Sequence, residues 1–306
     1  MLKTKVNNQY RLVTQPDHGQ LAGNLAAHWG NHAFSRAGEY GPVTNQELLR
    51  EQVIFAIAQH DNGWIEWESE PHIAPDHLPE DLSEMVRDQN DGMNRWRTGL
   101  RRFPNAVFAN LLISEHPRLL YQIRKDHDLE PSRVHPLFWR ERPDTLLPGS
   151  ETNVIAFIDE LEAMQNQWRE ILGSQSETRQ WIEPATFTPH ARLLQILDGL
   201  SLGLTSSLIP PCSGKPLGLG RDSFELREVP RKDWDDLVTI KVQPGGHRSV
   251  VLDPYPFDLD PLFVRVPSHV FESDAVGEDS TWISRWYSAQ PEMLEFRLSS
   301  PANLRM

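Results

Sequence analysis

The sequence predicts a mainly α protein, a bundle of about six helices followed by a β-rich C-terminal segment. Three observations carry this reading. Apolar residues recur at three- and four-residue spacing through most of the first two-thirds of the chain. Helix-start and helix-stop residues frame those stretches. Beyond Pro210-Pro211 the pattern changes to short alternating runs separated by turn residues. A boundary near residue 208 therefore divides a helical domain, 1–207, from a β-rich segment, 208–306, packed on it.

The elements follow in order. Thr14-Gln15-Pro16-Asp17 has the form of a capping box with proline in the first turn, and starts a helix through Leu21, Ala22, Leu25 and Ala26 that Gly30 closes. Thr44-Asn45-Gln46-Glu47 is a second such box. Its helix carries Leu49, Val53, Ala56 and Ile57 and stops around Gly63. Further helices are expected at 81–101, from Pro104 to about Lys125, near 151–172 and from about Pro189 to Leu204. The stretch 126–149 is polar and contains proline. Strands are expected at 224–229, 237–242, 249–252, 263–266 and 293–298, with Pro244-Gly245-Gly246 turning a hairpin.

Composition narrows the function classes. The net charge of −13 and the absence of a basic stripe argue against nucleic-acid binding. One cysteine, Cys212, allows no internal disulfide and no Cys-rich zinc site. No run has the length of a membrane span and the N-terminus lacks a signal-peptide core, so a cytoplasmic protein is expected. The pattern says nothing of oligomeric state.

Four positions break the helical pattern by placing a polar group where an apolar one belongs. His18 shares a face with Ala22 and Leu25; His60, followed by Asp61, shares one with Leu49, Val53, Ala56 and Ile57. His116 lies with Phe108, Leu112, Leu119 and Ile123, and Asp198 with Ala191, Leu194 and Leu202. Any one of these, taken alone, reads as a satisfied core residue. Together they set two inward carboxylates among three imidazoles, an arrangement that costs heavily unless a cation sits between them. Imidazole and carboxylate are the usual ligands of Fe, Mn or Zn, so a divalent transition metal is the expected cofactor.

The order His…His-Asp…His…Asp over helices resembles the HD superfamily of metal-dependent proteins. More closely, LVTQPDHGQLAG, AIAQHDNGWIEWE, LLISEHP, LLQILDGLSL and LDPYPFD resemble an uncharacterised bacterial family known only as a domain of unknown function. The superfamily resemblance implies an HD-like helical bundle with a metal held by His18, His60, Asp61 and Asp198. It further implies that His116 matches the extra histidine of two-metal members. Two departures stand out. Trp64 follows Gly63 where many members have a phosphate-contacting lysine, and 88–92 lacks a further histidine expected of two-metal members.

The expected function is metal-assisted hydrolysis of a small molecule, with Asp61 and His116 as catalytic groups and Trp64, Trp67 and Arg118 walling the substrate pocket. Arg95 and Arg192 are further anion-binding candidates, and Gln15 and Gln195 are candidate supports for His18 and Asp198. A non-haem iron oxygenase and a non-catalytic metal-stabilised sensor are the alternatives. His28 and His32 read as helix-end groups, His72 and His77 as loop residues, and His127 and His135 as bystanders. Gly218-Leu219-Gly220 reads as a plain loop and Cys212 as inert.

Overall fold

The computed structural model describes residues 1–6, 8–81, 89–126, 128–129, 135, 151–206, 223–272 and 281–303. Strands β1 (Leu2–Val6) and β2 (Gln9–Val13) open the chain as an antiparallel hairpin. Helices α1 (Gln15–Ala27), α2 (Gln46–Ala58), α3 (Ile65–Ser69), α4 (Gln89–Arg102), α5 (Val107–Lys125), α6 (Glu151–Gly173) and α7 (Pro184–Thr205) follow. Strands β3 (Phe224–Pro230), β4 (Leu237–Gly246), β5 (Ser249–Asp253), β6 (Leu262–Glu272) and β7 (Gln290–Ser299) complete the chain, with α8 (Trp282–Ser288) between the last two.

A helical bundle with a β tail is not what forms. The seven strands make one curled mixed sheet, a half-barrel, in the order β1-β2-β6-β7-β5-β4-β3, and it is a large part of the fold. Every pairing is antiparallel except β5 with β7. The sequence reading erred at the N-terminus. Leu2 and Thr4 are buried while Lys5 is exposed, an alternation too short and too polar to register as a strand by pattern. It is fixed by a distant partner, since β2 pairs with β6 in the register Leu12↔His269. Tertiary pairing outweighs weak local preference here.

The sheet's inner face and the helices share one core. Alternate residues of β6 (Leu262, Val264, Val266) and β7 (Leu294, Phe296, Leu298) pack in the same cluster as Leu25, Val53, Leu112 and Leu197. At the centre lies α7, buried along nearly its whole length from Thr186 to Thr205, which explains why apolar residues occur on every side of it. It packs on α1, α2, α5 and β3. The sheet is thus the backing against which the central helix is held.

Local details follow the sequence with some shifts. Thr14 caps α1 by accepting from the Asp17 N–H at 3.0 Å. The second cap is Asn45, whose side chain makes no capping bond. Helix α2 ends at Ala58, before His60, while α5 runs on through Pro117 and α7 begins at Pro184. The hairpin turn closes after Gly246, whose φ of +120° suits glycine. Residues 82–88, His127, Cys212, Gly218-Leu219-Gly220 and the boundary at 208 lie outside the described residues.

Candidate metal centre

His18 projects from α1, His60 and Asp61 from the turn after α2, His116 from α5 and Asp198 from α7, and all five are buried. The structure brings them together. His18 Nε2 lies 3.0 Å from Asp61 Oδ2 and 3.6 Å from Asp198 Oδ1. His60 Nε2 lies 3.7 and 3.3 Å from the same two oxygens. The ligand atoms of His18, His60 and Asp61 fall within 4.8 Å of one another.

Glycine makes this approach possible. A Cβ at Gly23 would stand 2.5 Å from Ala58 Cβ, and one at Gly19 would stand 3.0 Å from the Ala58 carbonyl oxygen. With hydrogen at both positions, α1 crosses the end of α2 closely enough for the two histidine rings to meet edge-on at 5.0 Å. The four-residue spacing of Gly19-Gln20-Leu21-Ala22-Gly23 was the available sequence signal for this crossing.

A fourth imidazole joins from the stretch read as a bystander region. His135 Nε2 lies 3.0 Å from Asp198 Oδ2, and His116 Nε2 lies 3.3 Å from the same oxygen. Asp198 therefore faces His18 and His60 with one oxygen and His116 and His135 with the other. His135 lies on no helix with an apolar face, so periodicity could not find it.

The hydrogen-bond network assigns the ring protons. Ser201 Oγ donates its single hydrogen to the Asp198 carbonyl at 2.9 Å. His18 Nδ1, 2.7 Å from that hydroxyl, must then be the donor. His60 Nδ1 donates to the Ile57 carbonyl at 2.7 Å. Both histidines thus turn Nε2 lone pairs toward carboxylate oxygens. Acceptor faces acceptor in a buried space, which only protons or a cation can reconcile. Neighbouring donors held about 2.0–2.2 Å from a common ion stand about 2.8–3.1 Å apart in octahedral and about 3.3–3.6 Å apart in tetrahedral geometry. The separations of 3.0 to 3.7 Å lie within about 0.1 Å of that span. Oriented second nitrogens are also what metal-ligating histidines show.

Charge is distributed accordingly. Burial pushes the His60 imidazole down, but Asp61 and Asp198 outweigh it and raise its pKa to about 9. Burial pushes both carboxyls up, yet His60 and His18 hold Asp61 below its ordinary value. His60, His116 and His135 hold Asp198 well below its own. Burial keeps His135 low despite Asp198. Without a metal, a proton on His60 supplies part of the missing positive charge.

The surrounding residues divide into two groups. Trp64 donates its indole N–H to Asp61 Oδ1 at 3.2 Å, which leaves Oδ2 for the centre. The Arg95 guanidinium sits in the corner formed by Trp64 and Trp67, 4.3 Å from each ring, and these two rings meet edge-on at 5.8 Å; Trp96 packs edge-on against His116. Arg118 is held by both oxygens of Glu115, at 2.7 and 2.8 Å, and by Gln122. Gln195 accepts from Arg192, and the buried Gln15 Oε1 has no hydrogen-bond partner among the described residues. His28 caps α1 and pairs with Asp258, while His32, His72 and His77 are exposed and stand apart from the cluster.

No helix among the described residues is long and apolar enough to cross a membrane. Residues 1–273 match the family model described as "Protein of unknown function (DUF3891)". No curated protein and no solved structure matches the chain.

Proposed function

The chain belongs to the DUF3891 family, whose description assigns no activity, and we propose from its buried cluster that it is a metal-dependent hydrolase acting on a small molecule. One observation carries this reading: two Nε2 lone pairs and two carboxylates face one another with no hydrogen bond able to join them except through added positive charge. His18, His60, Asp61 and Asp198 would hold one ion, and His116, His135 and the second oxygen of Asp198 a further one. A divalent transition metal there, Fe, Mn or Zn, would acidify water and polarise a scissile ester, phosphoester or amide.

The chain's own groups have assignable parts. Ser201 and Ile57 fix the two rings so that Nε2 points inward. Trp64 fixes Asp61. His116 has a buried Nδ1 with no hydrogen-bond partner among the described residues, so that nitrogen is placed to take up or deliver a proton. Trp96, and Arg95 packed against Trp64 and Trp67, wall this side of the cluster, which limits water around it.

The fourth histidine also favours a second reading, a two-iron oxygenase, because His135 supplies the ligand that the 88–92 stretch lacks, and Trp64 stands where a phosphate-binding lysine is common. The two readings part on oxygen. Protein purified without added metal is analysed for bound metal. Metal-free protein is then loaded with Mn, Zn or, anaerobically, Fe, and screened on esters, phosphoesters and amides. Oxygen-independent turnover by the Mn or Zn form is expected. Substrate-dependent oxygen uptake by the iron form alone would replace hydrolysis with oxygenation, and a protein that binds none of the three metals would end both.

A further inference from the structure

Apart from the metal centre, the described residues enclose a groove of about 560 Å³ between α5, α6, α7 and the sheet edge, within the size range of small-molecule sites. Its floor is one face of α7: Phe187, Thr188, Ala191 and Gln195 recur at three- and four-residue spacing. Leu119, Trp234 and Leu237 add apolar wall from the other elements.

The polar groups of the groove are unevenly matched. Arg192 is occupied, donating to the carbonyls of Arg227 and Glu228 and to Gln195 Oε1, with Glu228 bearing on it electrostatically. Glu115 is held by Arg118 and by Gln165. Arg169 differs. Its guanidinium lies over the Phe187 ring at 4.5 Å, and its one hydrogen bond is a long contact of 3.4 Å to the Ile182 carbonyl. Among the described residues it has no carboxylate within ion-pair distance, and it is half withdrawn from water. Glu115 acts on Arg169 only from beyond ion-pair distance and is itself engaged by Arg118 and Gln165, so this half-buried guanidinium on an apolar groove has no carboxylate in direct contact among the described residues.

We propose that this groove binds an organic anion, an aromatic or alkyl body carrying a carboxylate, sulfonate or phosphate, with the oxyanion on Arg169 and the body along α7 over Phe187, Thr188 and Ala191. An arginine fork offers two parallel donors to such an oxyanion, and its stacking on Phe187 already orders it. Asp198 lies on the α7 face that bears Ala191 and Gln195, one turn beyond Gln195, so a bound molecule would lie about one helical turn from the buried cluster. The binding step does not depend on metal, which separates this inference from the hydrolase reading.

The probe is 8-anilinonaphthalene-1-sulfonate, an apolar anion that fluoresces when its body is removed from water. Titration of the full chain, with and without loaded metal, should give one saturable site. Arg169→Met should weaken it by about tenfold or more, the worth of one charge-assisted hydrogen bond, and Arg169→Lys should recover part of the loss. Thr188→Trp, an exposed position that fills the groove without entering the core, should abolish the site while leaving the thermal melt unchanged. Phenylacetate should displace the probe and neutral benzyl alcohol should not. Unaltered binding in both Arg169→Met and Thr188→Trp, or equal displacement by benzyl alcohol, would overturn the proposal. Metal content measured on the same preparations reports the other reading on its own.

Discussion

In metal-free form the protein should be most stable near pH 6.5 and lose stability on both sides, because two buried histidines are shifted in opposite directions. His190 on α7 accepts from the Gly38 N–H at 2.9 Å and donates to the Thr186 carbonyl at 2.6 Å, so both ring nitrogens are committed to the neutral form. Burial lowers its pKa from 6.5 to about 4. The unfolded chain therefore takes up a proton that the fold refuses, and stability present above pH 6.5 is lost as pH falls toward 4. His135, also held low, acts in the same sense. His60 is the reverse case. Its pKa rises from 6.5 to about 9, so its contribution is complete below pH 6.5 and disappears as pH climbs through 9. Each shift spans about 2.5 pH units, and at about 1.36 kcal/mol per unit each limb is worth about 3 kcal/mol. Asp61 and Asp198, held below 3.8, add losses only at lower pH. The assay is urea unfolding of chelated protein, followed by circular dichroism from pH 4 to 9.5. His190→Gln should flatten the acid limb and His60→Gln the alkaline one. A metal-free protein whose stability rises steadily from pH 6.5 to 9, or a His60→Gln variant that keeps the alkaline loss, would refute the charge assignment in the cluster.

Loading metal at a hundredfold excess over its dissociation constant should add about 2.7 kcal/mol. With an unfolding entropy of about 2.1 cal/mol/K per residue, that raises the melting temperature of this 306-residue chain by about 4 °C, readable by calorimetry. His60→Ala or Asp61→Ala should abolish stoichiometric metal binding, whereas His32→Ala should leave it intact; retention of metal without the doublet would sink the ligand assignment. His135→Ala, expected from the sequence to be harmless, should instead lower the number of ions bound by elemental analysis while sparing the His18–His60 half. Gly23→Ala should cost about 1–3 kcal/mol by overpacking and weaken metal affinity as well, since the added Cβ meets Ala58 at 2.5 Å and drives His18 from His60. An unchanged affinity in that variant would show that the helix crossing does not set the site.

Most of the helices and most of the buried polar cluster were legible because both are written in local periodicity. An apolar stripe names a buried face, and a histidine or aspartate on that stripe names a buried polar group; His18, His116 and Asp198 were found in this way. His60 was found for a partly mistaken reason, since α2 ends at Ala58 and the residue reaches inward from the following turn. What escaped has no local period. Strands β1 and β2 owe their state to β6, more than 250 residues away in sequence, and without them the sheet looked like an appendage of the C-terminus. His135 sits in a polar stretch with nothing to give it a direction.

Yet His135 could have been anticipated by accounting for Asp198. A buried carboxylate has two oxygens, each requiring a partner, and His18 and His60 face only one of them. His116 approaches the other at 3.3 Å through a single nitrogen and leaves its own Nδ1 unpaired. A carboxylate placed that deep, on the most buried helix of the fold, calls for a further donor from whatever segment passes over it. In this chain that donor is His135, one of the two histidines, with His127, in the polar sequence 126–149. Periodicity locates groups on helices; counting the unsatisfied lone pairs of a buried acid locates the ones that are not.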